Sequence, residues 1–286
     1  MKKECSVGFV ILNYKIYDDT ISCVESIRRV IDTDDYYIVI VENGSGNDSF
    51  QVLTQRYNKD EKIHVIDTGA NLGFSKGNNV GIRYLKEHYD PHFVVALNSD
   101  IIMFQKNFLK LLDDIFAKEQ FAVLGPMIVN GKLNVMSNPM RIKRLSVEQA
   151  KHEIKYCQKM LKLNKLHLIK LYEFFRSLKK RNLQVKQRLY IEQKQDITLH
   201  GCFYVFSKLF FQEYSGFDEL TFLYLEEDIL QYHLEQAKLK SLYSPEIVVY
   251  HNEGASTGYK RNTSEKNRFI YCNRIEALQT YLELIT

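Results

Sequence analysis

Val94-Val95-Ala96-Leu97-Asn98-Ser99-Asp100 is the stretch on which the fold turns. An apolar run leads into it from His92-Phe93 and stops abruptly at three polar residues. Such a run reads as a buried strand. In an open α/β sheet, ligands collect just beyond the carboxyl ends of the strands. A carboxylate placed there can hold a divalent cation, and the cation can hold a diphosphate. Asp100 is the candidate carboxylate. Asn, Ser and Asp also dominate turns for reasons of their own, so the stretch alone is better described as a polar turn before a helix over 107–118, and only the motifs around it shift that balance.

Upstream, Val7-Gly8-Phe9-Val10-Ile11-Leu12 is a second such run, ending in Asn13-Tyr14. Ile21, Val24, Ile27 and Val30 then recur at helical spacing over 18–30. Tyr37-Ile38-Val39-Ile40-Val41 is a strand closed by Glu42-Asn43-Gly44-Ser45. A helix over 49–57 and a strand over 63–66 follow. Strand and helix alternating at this spacing predict βαβ units and a largely parallel sheet. The stretch from Asn71 to Gly81 holds three Gly and three Asn, and a helix runs on from it to about residue 88. It reads as a loop that brings backbone amides close to a ligand. It has neither the Walker order nor the dinucleotide fingerprint, and a turn with Asn in left-handed positions accounts for it as well. With a strand over 121–126, residues 1–130 form a nucleotide-binding half. Asn13, Glu42, 71–79 and Asp100 all fall at the carboxyl ends of its strands or in the loops beyond.

Downstream the texture changes. Residues 141–196 carry 16 Lys/Arg against 5 Asp/Glu, a balance of +11, which leaves −7 for the rest of a chain whose total is +4. Tyr156, Met160, Leu163, Leu166, Ile169 and Phe174 recur at helical spacing, so 131–197 is expected to be a basic insertion of amphipathic helices. Such helices pack on their own protein or lie on an anionic membrane surface. Nucleic acid is a poor partner, since the aromatics follow the apolar spacing and no binding motif is present. Strand texture returns at Leu199-His200-Gly201-Cys202-Phe203-Tyr204-Val205-Phe206. Glu226-Glu227-Asp228 opens a helix to about residue 236. Acids stabilise a helix N-terminus, but three together raise the pKa of at least one, which is how a general base is tuned. A last strand ends at His251, which could reach the same cleft as Asp100. Residues 198–260 are thus a second half, and 261–286 a terminal helix that docks either on this chain or on a second copy, a homodimer.

Five cysteines, none at metal-ligand or redox spacing, suit reduced thiols. No secretory signal opens the chain, and no apolar stretch approaches the roughly 20 residues needed to span a bilayer. The expected location is cytoplasmic, with any membrane contact peripheral, at the inner face of the cell membrane.

In order and spacing, these motifs resemble the family 2 glycosyltransferases of the bacterial rhamnosyl- and galactofuranosyltransferase-like type, over 6–130 and 198–257. The resemblance implies a GT-A fold, which is a Rossmann-like α/β architecture with a mixed, mostly parallel sheet flanked by helices. It implies an inverting transfer from a nucleotide-diphosphate sugar, of UDP or dTDP type, to a hydroxyl of a glycan or lipid-linked glycan acceptor in surface polysaccharide synthesis. On it, Asn13, Tyr14, Glu42, Asn71, Gly73, Lys76, Asn79, Asn98 and Ser99 bind the nucleotide sugar. Asp100 matches the last acid of an Asp-x-Asp metal motif whose first acid is here Asn98. With His251 it would hold a divalent cation, Mn2+ or Mg2+. Gly201, Cys202 and Glu226 face the acceptor. The catalytic base is Glu227, or Asp228 if the register shifts by one residue. Two other classes compete. A nucleotidyltransferase would carry a Gly-rich basic loop after its first strand, where Asn13-Tyr14-Lys15-Ile16-Tyr17-Asp18 has no Gly. A non-catalytic protein would use the basic segment to grip a membrane or partner.

Overall fold

In the computed structural model, residues 3–130, 135–180, 191–252 and 263–286 are described. Part of the basic segment, 181–190, and the stretch 253–262 lie outside them. In chain order the first half runs β1 (Lys3–Asn13), α1 (Tyr17–Val30), β2 (Tyr36–Glu42), α2 (Ser49–Tyr57), β3 (Ile63–Asp67), α3 (Phe74–His88), β4 (Tyr89–Asn98), β5 (Ile101–Met103), α4 (Phe108–Glu119) and β6 (Val123–Asn130). The remainder runs β7 (Val135–Met136), α5 (Val147–Lys165), α6 (Ile169–Lys180), β8 (Lys194–Gln195), β9 (Phe203–Ser207), α7 (Lys208–Glu213), α8 (Glu226–Ala237), β10 (Ser241–His251) and α9 (Thr263–Ile285).

One mixed sheet carries the order β3-β2-β1-β4-β9-β6-β10-β5. Strands β3, β2, β1 and β4 are mutually parallel. β9 runs antiparallel between β4 and β6, and β10 returns to parallel pairing with β6. The period-2 alternation of a strand sorts the side chains of β1 and β4 into two cores. Phe9, Ile11, Val95 and Leu97 pack with α1 and α4 through Ile27, Phe108 and Leu112. Val10, Val94 and Ala96 pack on the opposite face with α3 and α8 through Ile82, Leu85 and Leu230. A third cluster joins Ala150 of α5, Ile229 of α8 and Leu278 and Tyr281 of α9. The terminal helix therefore docks on its own chain. The Tyr281 hydroxyl donates to the Leu145 carbonyl at 2.8 Å and accepts from Arg144 at 3.0 Å.

The registers line up the strand ends. Asn13 stands beside Glu42 and Leu12 beside Asn98. Because β9 is antiparallel to β4, with Leu97 opposite Phe203, residues 200–202 enter the sheet at the same edge where β4 leaves it. β10 ends at that edge too, and short β5 doubles back beside it with Ile101 opposite His251.

The structure corrects the reading of the Asn71–Gly81 stretch as one loop. The loop ends at Gly73, whose φ of +84° only glycine adopts freely, and α3 begins at Phe74. Gly77 and Gly81 lie inside that helix against the sheet. A Cβ there would come within 2.6 Å of Leu12 and 2.5 Å of Val10. Those glycines permit close helix–sheet packing and do not extend the loop.

Candidate active site

At the shared strand edge lies a cavity of about 550 Å³. Tyr14, Asn71, Gly73, Asn98, Ser99 and Asp100, all singled out in the sequence, line it. Lys15, Asn43, Phe222, Lys266 and Phe269 line it too and were not anticipated. Asn43 ties the loops together: its amide donates to the Gly73 carbonyl at 3.0 Å, and its carbonyl oxygen accepts from the Leu72 amide at 3.0 Å. The segment 222–224 closes one side, where the Phe74 amide donates to the Phe222 carbonyl at 3.0 Å. The N-terminal turns of α9 close another.

Two expected nucleotide residues stand behind the wall. Asn13 is fully buried, and its Oδ1 accepts from Thr20 Oγ1 at 2.7 Å. The Glu42 carboxylate accepts from the amides of Gly44 at 3.2 Å and Ser45 at 2.9 Å, which shapes the turn after β2. Two others are not brought to the cavity. Lys76 is exposed on α3. Asn79 is occupied by residues 217–219, accepting from the Phe217 amide at 2.8 Å and donating to Glu219 at 2.9 Å.

Asp100 and His251 meet, with Oδ1 and Nε2 3.1 Å apart and both side chains buried. The His200 ring lies 6.1 Å from that of His251, edge to face. Nothing in the sequence marked His200, because its placement depends on β9 running antiparallel to β4. Carboxylate and imidazole at one buried point are a donor set that suits Mn2+ or a similar divalent cation. Among the described residues no third His, Cys, Asp or Glu joins them.

The acids at the start of α8 have separate environments. The chain reaches them through two left-handed residues, Tyr224 at φ 74° and Leu225 at φ 67°. Asp228 is fully buried and satisfied. One oxygen is paired with the Arg141 guanidinium, and the other accepts from the Leu145 amide at 2.8 Å. Glu227 faces Gly201, where a Cβ would stand 2.9 Å from Oε1. Gly201 in turn adjoins β4, because the Asn98 amide donates to the Cys202 carbonyl at 3.0 Å. Burial pushes the Glu227 carboxyl above the usual glutamate range, the Asp228 charge adds to this, and Arg141 and the Gly201 amide oppose it. Burial pushes Glu226 further up, helped by the charge of Glu227. Its Oε2 is buried with no hydrogen-bond partner among the described residues. Burial also raises Asp228, against Arg141.

A family model for glycosyl transferase family 2 matches residues 6–184. The chain belongs to that family. The matched span runs from β1 into the basic segment and takes in α5 and α6. Among relatives of this family 2 glycosyltransferase is the low-salt glycan biosynthesis hexosyltransferase Agl10 of Haloferax volcanii. It is 32% identical over 124 residues, which are 43% of this chain and 37% of Agl10. Another is an N-acetylglucosaminyl-diphospho-decaprenol L-rhamnosyltransferase of Mycobacterium tuberculosis, 24% identical over 228 residues, 77% of this chain and 68% of that protein. Thus the chain spans little more than a third of the archaeal relative. The S. aureus TarS 1–349 structure in complex with UDP superposes with a TM-score of 0.55 at 11% identity, over 94% of this chain and 64% of TarS. GalNAc-T7 with UDP, GalNAc and Mn2+ gives 0.58 at 14%, over 93% of this chain and 47% of that one. At such identities the likeness is one of fold, and the fold is GT-A.

Proposed function

We propose that this glycosyltransferase moves a hexosyl unit from a UDP- or dTDP-sugar to a hydroxyl of a lipid-linked glycan, with inversion, at the inner face of the cell membrane, in the building of a surface polysaccharide. The observation that carries this reading is the position of Glu227. A partly buried carboxyl with a raised pKa sits against Gly201, one hydrogen bond from the strand whose end bears Asp100. A base tuned upward by burial accepts a proton near neutral pH. Asp228 is less suited, since both its oxygens are engaged. The cavity walls Tyr14, Asn43 and Asn71 would hold the nucleoside, and Lys15 and Lys266 would meet the diphosphate charge. Asp100 and His251 would hold Mn2+ or Mg2+, with the donor diphosphate completing the coordination. When bound, such an ion neutralises the charge that develops on the leaving diphosphate. Glu227 takes the proton of the acceptor hydroxyl as its oxygen attacks the sugar on the face opposite the leaving group. The names of the two relatives, a glycan biosynthesis hexosyltransferase and an N-acetylglucosaminyl-diphospho-decaprenol L-rhamnosyltransferase, support the choice of acceptor.

The test is thermal unfolding with UDP, dTDP, GDP and CMP, each with and without Mn2+ or Mg2+. A ligand that binds only the folded state at 100 times its Kd stabilises by about 2.7 kcal/mol. The expected result is a rise in Tm with UDP or dTDP that requires metal and disappears in Asp100→Ala. No rise with any nucleotide would overturn the donor and leave the non-catalytic reading.

A further inference from the structure

The corner between α5 and α6 presents apolar side chains to solvent in a way no other part of the described surface does. Leu166, Leu168, Leu171 and Phe174 are 63%, 39%, 52% and 57% exposed. Elsewhere, the exposed large hydrophobics come singly, as Phe104 does, or in pairs, Met140 with Ile142 and Leu220 with Phe222. Leu168, Leu171 and Phe174 are spaced three apart and share one face of the helix. Ile169 and Tyr172, on the neighbouring face, turn inward. Ile169 is buried, and Tyr172 lies under Lys159 of α5 with the ammonium 4.4 Å from the ring centre. Ile169 and Tyr172 thus anchor the start of α6, and Leu168 and Leu171 stand outward beside them. Lys162, Lys165 and Lys170 are exposed around it. A contiguous apolar patch on a soluble surface marks an interaction site.

This corner adjoins the mouth of the cavity. The side chain of Asn164, two residues before Leu166, donates to the Ser264 carbonyl at 2.8 Å and accepts from Asn267 at 3.4 Å. Between those two α9 residues lies Lys266, which lines the cavity. Apolar side chains ringed by lysines match the interface of an anionic bilayer, where the chains enter the acyl boundary and the ammonium groups meet phosphate. A second copy of the chain suits the face less well, since its own lysines would oppose these. Among the described residues no helix is long and apolar enough to cross a membrane, so contact through this corner would be peripheral.

We infer that the α5–α6 corner docks on an anionic lipid bilayer and holds the mouth of the donor cavity at the bilayer surface. The purpose of this docking rests on the proposed lipid-linked acceptor, whose reactive hydroxyl would then be delivered beside Glu227. The experiment is co-sedimentation of the full chain with vesicles of phosphatidylcholine alone and of phosphatidylcholine with phosphatidylglycerol. Binding is expected to the anionic vesicles and to weaken with salt. It should fall about tenfold or more in Leu168→Ser/Leu171→Ser. In Lys162→Ala/Lys165→Ala/Lys170→Ala the fall should be about a hundredfold. Lys110→Ala/Lys118→Ala on α4 should leave it unchanged. The nucleotide-induced rise in Tm should survive in every one of these variants, which also shows that they fold. Absence of binding by the unaltered chain, or equal binding by the corner variants, overturns the inference. So does a change in oligomeric state in Leu168→Ser/Leu171→Ser without a change in vesicle binding, which would make the corner an interface between copies. Each of these failures leaves the nucleotide result standing, so the two readings fail separately.

Discussion

Asp100 and His251 are 151 positions apart in the chain and 3.1 Å apart at the sheet edge. The contact is made by backbone pairing, since β5 follows Asp100 directly and lies antiparallel to the last residues of β10. If the two form the cation site, removing either ligand should cost at least as much as removing a supporting residue, which is about tenfold to a hundredfold in affinity. The Mn2+ concentration needed for the nucleotide-dependent rise in Tm should therefore increase about tenfold or more in His251→Ala. An unchanged Mn2+ requirement would remove His251 from the site.

Glu227 and Asp228 are adjacent, and their replacement should have opposite signatures. Glu227→Gln should lower kcat by about 10²- to 10⁴-fold with donor binding retained and no loss of Tm, since burial disfavours the charged carboxyl. Asp228→Asn removes one partner of a buried ion pair and leaves Arg141 facing a neutral group. Burial already disfavours the charged form of Asp228, so the cost is that of leaving a buried donor of Arg141 or Leu145 without its acceptor, about 1–3 kcal/mol. Chemical denaturation of both variants beside their steady-state rates checks the pair. A stable but inactive Asp228→Asn would move the base to that residue.

The Glu226 carboxyl is raised well above its usual pKa, first by burial and then by the charge of Glu227. A carboxyl whose pKa is higher folded than unfolded favours the fold in acid, and this contribution is lost as pH rises through the folded value. Glu226→Gln should therefore raise Tm at neutral pH. The advantage should vanish below about pH 4, where the carboxyl is protonated in both states. Tm measured across pH for the two proteins gives the difference curve, and a gain that persists in acid would assign the effect to packing.

Gly201 has no left-handed requirement, so alanine there is tolerated by the backbone, yet its Cβ would stand 2.9 Å from Glu227 Oε1. Gly201→Ala should displace the carboxylate with little loss of stability. A misplacement of about 1 Å at a reacting group costs on the order of 10²-fold in rate. Turnover with donor and acceptor, set against an unchanged nucleotide-induced Tm shift, checks it.

Elements whose cause is local were legible before any coordinates. The alternation of apolar strands and helices located β1 to β4, α1 and α2 closely, and the helical spacing from Tyr156 to Phe174 marked a helical segment without placing the break that separates α5 from α6. The family motifs likewise led to the strand ends that line the cavity. What escaped was non-local. Asn43 lines the cavity because its amide spans two loops, and Lys266 and Phe269 because α9 folds back over the mouth; His200 stands beside His251 because β9 is reversed between parallel strands. None of these has a periodic or compositional mark. Asn79 looked like a loop residue because Gly73, Gly77 and Gly81 share one appearance in sequence. One of them ends a loop, and the other two let a helix lie close on the sheet.

Lys266, Phe269 and Ile270 supply one wall of the cavity, and they follow every described strand of the sheet in chain order. Synthesis runs from the amino terminus, and folding follows it. A nascent chain that has emerged only as far as β10 holds every described strand and both Asp100 and His251, yet lacks the α9 wall of the cavity. On the proposed reading of this cavity as the donor site, a chain released before residue 270 would lack one of the walls that hold the donor.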